Sequence, residues 1–283
     1  MQIIDAQIHL WGKGTVVPPH RTTPYLLDEA LRDMDAAGVH GALIHPPSWD
    51  PESHALAIEA CRLHGKRFAI LGRIPLDQPH RRGEIETWRQ QPGMVGLRYT
   101  FLQPHMQSWP SDGTMDWLWP AAERLALPVA LLAGEFLPLI GRIGERHPGL
   151  RLIVDHFGVA RGNKDDAAFA TMPQLLALAK HPNIAVKVTG GPQYVTDPYP
   201  FKSLQPRYKA IYDAFGPERM FWGTDITRMP CTWRECVTAF AEHQAWLSER
   251  DKSLIMGQAL ADWVGWKPSP ANDPGQADGR VQP

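Results

Sequence analysis

The chain has 283 residues, 43% hydrophobic and 21% charged, with 29 Lys and Arg against 30 Asp and Glu for a formal net charge of −1. That size and apolar content can bury a sizeable core in one or two domains, and a near-neutral balance without a run of Lys or Arg argues against a nucleic-acid or anionic-membrane surface, leaving a small organic molecule as the expected partner. No apolar run reaches the roughly 18 residues of a membrane span, and the N-terminus opens on a strand pattern instead of a basic-then-apolar signal, so a cytoplasmic protein is expected.

The first strand is expected over residues 2–9, where Asp5, Gln7 and His9 alternate with Ile4, Ala6 and Ile8. Period-two geometry then sends the polar set into a barrel and the apolar set towards helices. A long connection over 11–24, carrying Trp11, His20 and Arg21, leads to a helix over 25–37 and a strand over 41–47 that ends near His45. Helix 53–64 precedes strand 68–76 with Arg73, and helix 82–90 precedes strand 94–102 with Arg98 and Tyr99. Helix 114–125, strand 128–134 and helix 135–147 follow, then strand 150–158, whose alternation groups His156 with Leu152 and Val154. Helix 172–180 leads to strand 184–190, which holds Lys187 between Val186 and Val188. A second long connection, 191–206, carries Tyr194, Tyr199 and Phe201; helix 203–215 then leads to strand 220–227, where Asp225 shares a face with Phe221 and Gly223 and Arg228 lies just beyond. A helix over 231–247 and a closing helix over 252–263 complete the run.

Strand and helix alternate eight times, the pattern of an α/β chain folded as a (β/α)8 TIM barrel, here a single domain over 1–266. A doubly wound open sheet is disfavoured because no Gly-rich turn follows the first strand. Residues 267–283, dense in Pro, Gly, Asp and Gln, are expected to form a flexible tail. Cys61, Cys231 and Cys236 make neither a CxxC pair nor an even set, which fits reduced, structural thiols.

In such a barrel the chemistry gathers at the C-terminal strand ends, where His9, His156 and Asp225 fall. Asp5-Ala6-Gln7-Ile8-His9 with Trp11, the strand from Val154 through His156 to Gly158, Gly223-Thr224-Asp225, Gly96-Leu97-Arg98 and the run from Val186 and Lys187 to Gly190 together resemble the amidohydrolase-related family, amidohydrolase 2. The resemblance covers residues 2 to about 263 and lies in the lactonase branch, with its pyrone-dicarboxylate lactonase-like and fuconolactonase-like enzymes. It implies a hydrolase that opens a cyclic ester. The departure is Gln7, where the family usually carries the first histidine of a His-x-His pair. A carboxamide oxygen is a poor ligand for Zn²⁺, so a site that requires no cofactor is the expectation; if Zn²⁺ or Mn²⁺ were bound, His9, His156 and Asp225 would be its ligands.

Asp225 is the expected general base, taking a proton from water as it attacks the carbonyl. His9, His156 and the Gln7 amide are expected to donate to the developing oxyanion, each such donor being worth about 2.7–4 kcal/mol. Asp5 is read as orienting its neighbours or satisfying backbone groups. Arg98 and Lys187, with Arg73 and Arg228, place positive charge at the mouth and point to an anionic substrate. His45 and Tyr99 are further candidates for substrate contact, and Trp11, Trp49, Tyr194 and Tyr199 for the walls around a ring-shaped ligand. Two alternatives stand beside the lactonase: a metal-dependent decarboxylase, a lyase acting on an aromatic or unsaturated acid, and a binding homologue that has lost catalysis. The oligomeric state, homo-oligomer included, stays open.

Overall fold

A computed structural model describes residues 1–268 other than 17, 133, 160 and 161; nearly all of the expected tail, 269–283, lies outside the described residues. Eight strands pair in parallel and in chain order: β1 (Ile4–Ile8), β2 (Gly41–Ile44), β3 (Phe68–Gly72), β4 (Met94–Thr100), β5 (Val129–Leu132), β6 (Leu152–Val154), β7 (Ile184–Thr189) and β8 (Met220–Gly223). Beyond their C-terminal ends β8 returns to β1, where the Asp225 N–H donates to the Gln7 carbonyl at 2.9 Å. Gly223 permits that approach, since a Cβ there would lie 2.7 Å from both the Ala6 nitrogen and Thr189 Cγ2. The architecture is the (β/α)8 barrel that the alternation predicts.

The helices are α1 (Leu27–Ala37), α2 (Ser53–His64), α3 (Leu118–Arg124), α4 (Leu137–Arg146), α5 (Asp165–Ala168), α6 (Met172–Ala177), α7 (Gln205–Phe215), α8 (Trp233–Ala241), α9 (Glu249–Ser253) and α10 (Ala259–Val264). Where a helix was expected over 82–90, a 3₁₀ segment runs Pro79–Gln90, with a proline in its first turn and Gly83 inside it. The helix expected over 231–247 ends at Ala241; it starts on a capping box, in which Thr232 accepts from the Glu235 N–H and Glu235 accepts from the Thr232 N–H. The closing helix divides into α9, a π turn Leu254–Gln258 and α10. None of the described helices is long and apolar enough to cross a membrane.

Two apolar layers fix which side of each strand faces inward. Ile4, Ala6, Leu43, Ala69, Leu71, Val95, Ala130, Ile153, Ala185 and Phe221 form the inner layer with Leu254, Leu260 and Trp266. Trp266 Nε1 donates to the Gly65 carbonyl at 3.2 Å and Arg151 Nη1 to the Trp263 carbonyl at 2.7 Å, so α10 lies across the N-terminal end of the barrel and plugs it. Ile8, Ile44, Ile70, Leu97, Val129, Leu152, Val154, Val186 and Trp222 pack outward against the helices.

Candidate active site

The inward residues of β1 are Ile4 and Ala6, which reverses the face expected for its first half. Asp5 therefore points out towards α8, where its carboxylate accepts from the N–H groups of Gln7 and Thr224, each at 2.9 Å, from Thr224 Oγ1 at 2.5 Å and from Trp233 Nε1 at 2.9 Å. It satisfies backbone groups, as expected, but from outside the barrel. A register irregularity between Asp5 and Ile8 breaks the strict alternation. Past that irregularity the Gln7 and His9 side chains both reach the site.

His156 arrives by a similar correction. Leu152 and Val154 face the helices, so alternation alone would send His156 outward with them. Instead β6 ends at Val154, and His156 and Phe157 follow with φ of 51° and 57°, a left-handed turn that brings the imidazole back over the barrel. Asp225 lies beyond β8 with φ 58°. Such backbone costs on the order of 1–3 kcal/mol per non-glycine residue and persists where surrounding contacts enforce it.

On the floor, His9 Nε2 lies 3.3 Å from Asp225 Oδ1, and Gln7 Nε2 lies 3.0 Å from His156 Nε2 and 3.5 Å from Asp225 Oδ2. The partners fix the tautomers. His9 Nδ1 is 2.5 Å from the His45 carbonyl, which only accepts, so its proton is on Nδ1; His156 Nδ1 is 2.8 Å from Thr189 Oγ1 and 3.3 Å from the Thr189 carbonyl, and the Gln7 amide nitrogen, a donor only, leaves its proton on Nδ1 as well. Nε2 of His156 then accepts from the Gln7 amide, while Nε2 of His9 presents a lone pair to Asp225. Burial pushes His9 down to about 3 and His156 to about 4, although Asp225 alongside opposes it, so both are neutral at pH 7. For Asp225, burial would raise the carboxyl, but His9, His20, Arg228 and His156 outweigh it and hold it below the usual carboxylate range.

Lys187 and Arg98, both expected to bind substrate, meet Asp155, and of the two only Arg98 borders the cavity. Ile153 faces inward and so does Asp155, two residues on; its Oδ1 lies 3.0 Å from Lys187 Nζ and its Oδ2 accepts from Arg98 Nε at 2.7 Å. Lys187, fully buried, also lies 3.0 Å from His45 Nε2 and 3.5 Å from Gln7 Oε1. Burial lowers its pKa to about 8 against the pull of Asp155. This pair sits beneath the mouth. Sequence reasoning passed over Asp155 as a motif letter, although its parity with Ile153 marks it as inward.

Above lies a cavity of about 280 Å³ bordered by His9, His20, His45, His156, Asp225, Arg73, Arg98, Arg228, Tyr99 and Tyr194 on its polar side and by Trp49, Leu76, Leu102, Met106, Trp109, Leu132 and Val159 on its apolar side. Gln7, Lys187 and Trp11 do not border it: the first two are held below, and Trp11 is buried behind Trp49, ring centroids 5.7 Å apart, and so does not wall a ligand. Tyr199 is an exposed residue outside the cavity, bonded to Thr238. Arg98 keeps part of its guanidinium at the cavity while its Nε serves Asp155. Arg228 Nη1 lies 3.4 Å from Asp225 Oδ2. Arg73 meets the Pro46 and Pro47 carbonyls at 2.5 and 3.4 Å and, among the described residues, pairs with no carboxylate.

Of the residues that sequence would offer a metal if one were bound, His9 and His156 each approach Asp225, at 3.3 and 3.8 Å. Gln7 occupies the Nε2 of His156, and the atoms that converge are those of His9, His20 and Asp225, which lie within 4.8 Å of one another. His20, noticed in the sequence only as part of a long connection, is brought in because its loop is pinned to the turn after β8: the Arg21 N–H donates to the Thr227 carbonyl at 2.8 Å, and His20 Nδ1 is 2.9 Å from Thr227 Oγ1.

The fold recurs in known proteins. The chain is 24% identical to an L-fucono-1,5-lactonase of Burkholderia ambifaria over 265 residues, 87% of this chain and 85% of that one. Its fold matches the crystal structure of an amidohydrolase from Burkholderia multivorans with bound zinc, at TM-score 0.79 and 19% identity over 94% of this chain and 100% of the other. It also matches a probable 2-pyrone-4,6-dicarboxylic acid hydrolase from Acinetobacter baumannii with citric acid bound, at TM-score 0.75 and 16% identity over 94% and 100% of the two chains. A sequence profile of the Amidohydrolase family, Amidohydro_2, matches residues 4–277, nearly the whole chain, and this protein therefore belongs to that family as one of the amidohydrolase-superfamily hydrolases.

Proposed function

We propose that this hydrolase is a lactonase acting on a compact cyclic ester that bears a carboxylate. The observation that carries the reading is the juxtaposition, across one cavity, of a buried, ionised Asp225 with Arg73, whose guanidinium has no carboxylate partner among the described residues. Asp225 accepts a proton from water as the water oxygen bonds to the ester carbonyl carbon; the ring C–O bond then breaks, and the leaving oxygen takes the proton to give a hydroxy acid. Because the Nδ1 protons of His9 and His156 are directed at the His45 carbonyl and at Thr189, the developing oxyanion is assigned to the guanidinium groups of Arg98 and Arg228 in place of the imidazoles. Arg73 takes the substrate carboxylate. Similarity to a fuconolactonase and to a pyrone-dicarboxylate hydrolase supports ester-ring opening.

The apolar wall separates two kinds of lactone. A sugar lactone would have to turn its hydroxyls towards polar residues such as Ser48, Asp77, Thr100 and Gln103, since each one left against Trp49, Leu102, Met106 or Trp109 without a partner costs about 1–3 kcal/mol, whereas a flat unsaturated ring would bury carbon against carbon. The test is proton release from carboxylated unsaturated lactones, sugar lactones and aromatic acids. Ring opening of the first group at the highest kcat/KM supports the reading; carbon dioxide release from the acids without lactone hydrolysis would overturn it.

A further inference from the structure

Asp225 Oδ1 is buried and, among the described residues, has no hydrogen-bond partner, although two imidazoles face it. The nearer, His9, has its proton on Nδ1 and turns an Nε2 lone pair towards this oxygen at 3.3 Å. A lone pair and a carboxylate oxygen at that separation repel unless a proton or a cation lies near both. The other carboxylate oxygen is engaged separately, with Arg228 Nη1 at 3.4 Å and the Gln7 amide at 3.5 Å. The fixed positive charge of Arg228 is therefore on the Oδ2 side, while the Oδ1 side is faced by two imidazoles.

We propose that His9, His20 and Asp225 hold one divalent cation of the zinc class, with the loop histidine supplying the imidazole that Gln7 does not. Two ligands of a tetrahedral zinc ion, each about 2.0–2.2 Å from it, are about 3.4 Å apart, and the His9–Asp225 separation of 3.3 Å meets that value. His20 Nδ1 lies 4.0 Å from Oδ1 and 2.9 Å from Thr227 Oγ1, a contact it would exchange for the ion while the Arg21 N–H bond to the Thr227 carbonyl keeps the loop in place. The His9 Nδ1–H bond to the His45 carbonyl is the outer contact that fixes a ligating imidazole in orientation. All three residues border the cavity, so a fourth position opens towards substrate or water. His156 is excluded from the set because its Nε2 accepts from Gln7. The ion would supply a Lewis acid beside the bound carbonyl.

The site shares Asp225 and the cavity with the lactone reading but does not rest on it, and its test reads metal directly. Chelator-treated protein is titrated with Zn²⁺ against a chromophoric competitor, and with Co²⁺ while the visible bands of four-coordinate cobalt are followed. One ion per chain at micromolar protein or below is expected. His20→Asn, and His20→Gln made in parallel to keep the loop's hydrogen-bonding capacity, should each weaken binding by at least roughly 100-fold, the upper end of what loss of a supporting contact costs. His156→Asn should leave it within about threefold. Wild-type protein that binds no ion overturns the proposal, as does His156→Asn losing as much affinity as the His20 variants, which would return the ion to the strand-borne histidines.

Discussion

Two layers of charge are stacked at the C-terminal end of this barrel, and they are built on opposite principles. The lower one, Asp155 with Lys187 and Arg98, stands on regular strand and strand-end positions, and each charge there has an opposite within 3.0 Å. The upper one, His9, His20, His156 and Asp225, stands on a strand irregularity, a long loop and two left-handed turns, and among the described residues it leaves a carboxylate oxygen without a hydrogen-bond partner and the nearby Arg73 guanidinium without a carboxylate. Internal neutralisation belongs to a support, while unmatched charge belongs to a surface awaiting a ligand. The two layers meet at Gln7, whose oxygen faces Lys187 and whose amide serves His156 and Asp225.

The sharpest separation comes from removing one charge in each layer. Asp225→Asn should lower kcat by about 10²–10⁴-fold, the span of general-base catalysis, while equilibrium binding of the carboxylated product persists. Retention of more than a tenth of the activity would move the base elsewhere. Lys187→Met should act on the fold instead: a buried ion pair that loses one partner costs about 3–5 kcal/mol, here softened because Arg98 still faces Asp155. Denaturant unfolding reads it, and adding Asp155→Asn should recover part of the loss. A stable Lys187→Met protein with a raised KM would put Lys187 in the substrate site, as the sequence alone suggests.

That contrast explains what the sequence discloses. Eight alternations of strand and helix, polar strand ends and the breakers between them are local properties, and they specify the barrel. The lower layer follows from period two once one inward residue per strand is known, because Ile153 and Asp155, like Ala185 and Lys187, share a face. The reversed face of Asp5 could not be read, since Ile4 and Ala6 are apolar whichever side they line and the irregularity before Ile8 depends on the neighbouring strand. His156 reached its expected place through a positive φ that a non-glycine sequence does not advertise. His20 joined the site through two contacts of its loop to Thr227, more than 200 positions away in sequence, and no local pattern encodes such a contact.

Arg73 offers a smaller effect on the same contrast. If it holds the substrate carboxylate, Arg73→Met should raise KM for an acidic lactone by about 10–100-fold, equivalent to the 1.5–3 kcal/mol of a charged hydrogen bond, and change a neutral ester analogue only a few-fold. Equal losses on both substrates would instead assign Arg73 to holding the Pro46–Pro47 backbone, which its two carbonyl contacts already favour structurally.

The smallest effect vanishes at neutral pH and emerges on acidification. His9 and His156 are buried neutral, with pKa values lowered from 6.5 to about 3 and about 4. Between pH 6.5 and 4 the unfolded chain thus binds more protons than the native one, and stability must fall as pH falls through that window. Asp5 acts with the opposite sign. Burial raises it from 3.8 to about 6 against its hydrogen bonds, so its contribution is full below 3.8 and declines as pH rises through 6, offsetting part of the histidine slope. His45 and His54, lowered in the same direction by burial, add to these two histidines against one aspartate, and the net acid limb should be destabilising. Measured as Tm against pH, the limb should become shallower in His156→Gln, which removes one of the two titrating imidazoles of the upper layer while offering Gln7 an acceptor oxygen. Lys187, lowered to about 8, cannot contribute below pH 6.5 because it is charged there in both states. An acid limb of unchanged slope in His156→Gln would mean that this imidazole is already protonated in the folded protein, and that Gln7 faces it through its oxygen with the amide turned towards Lys187.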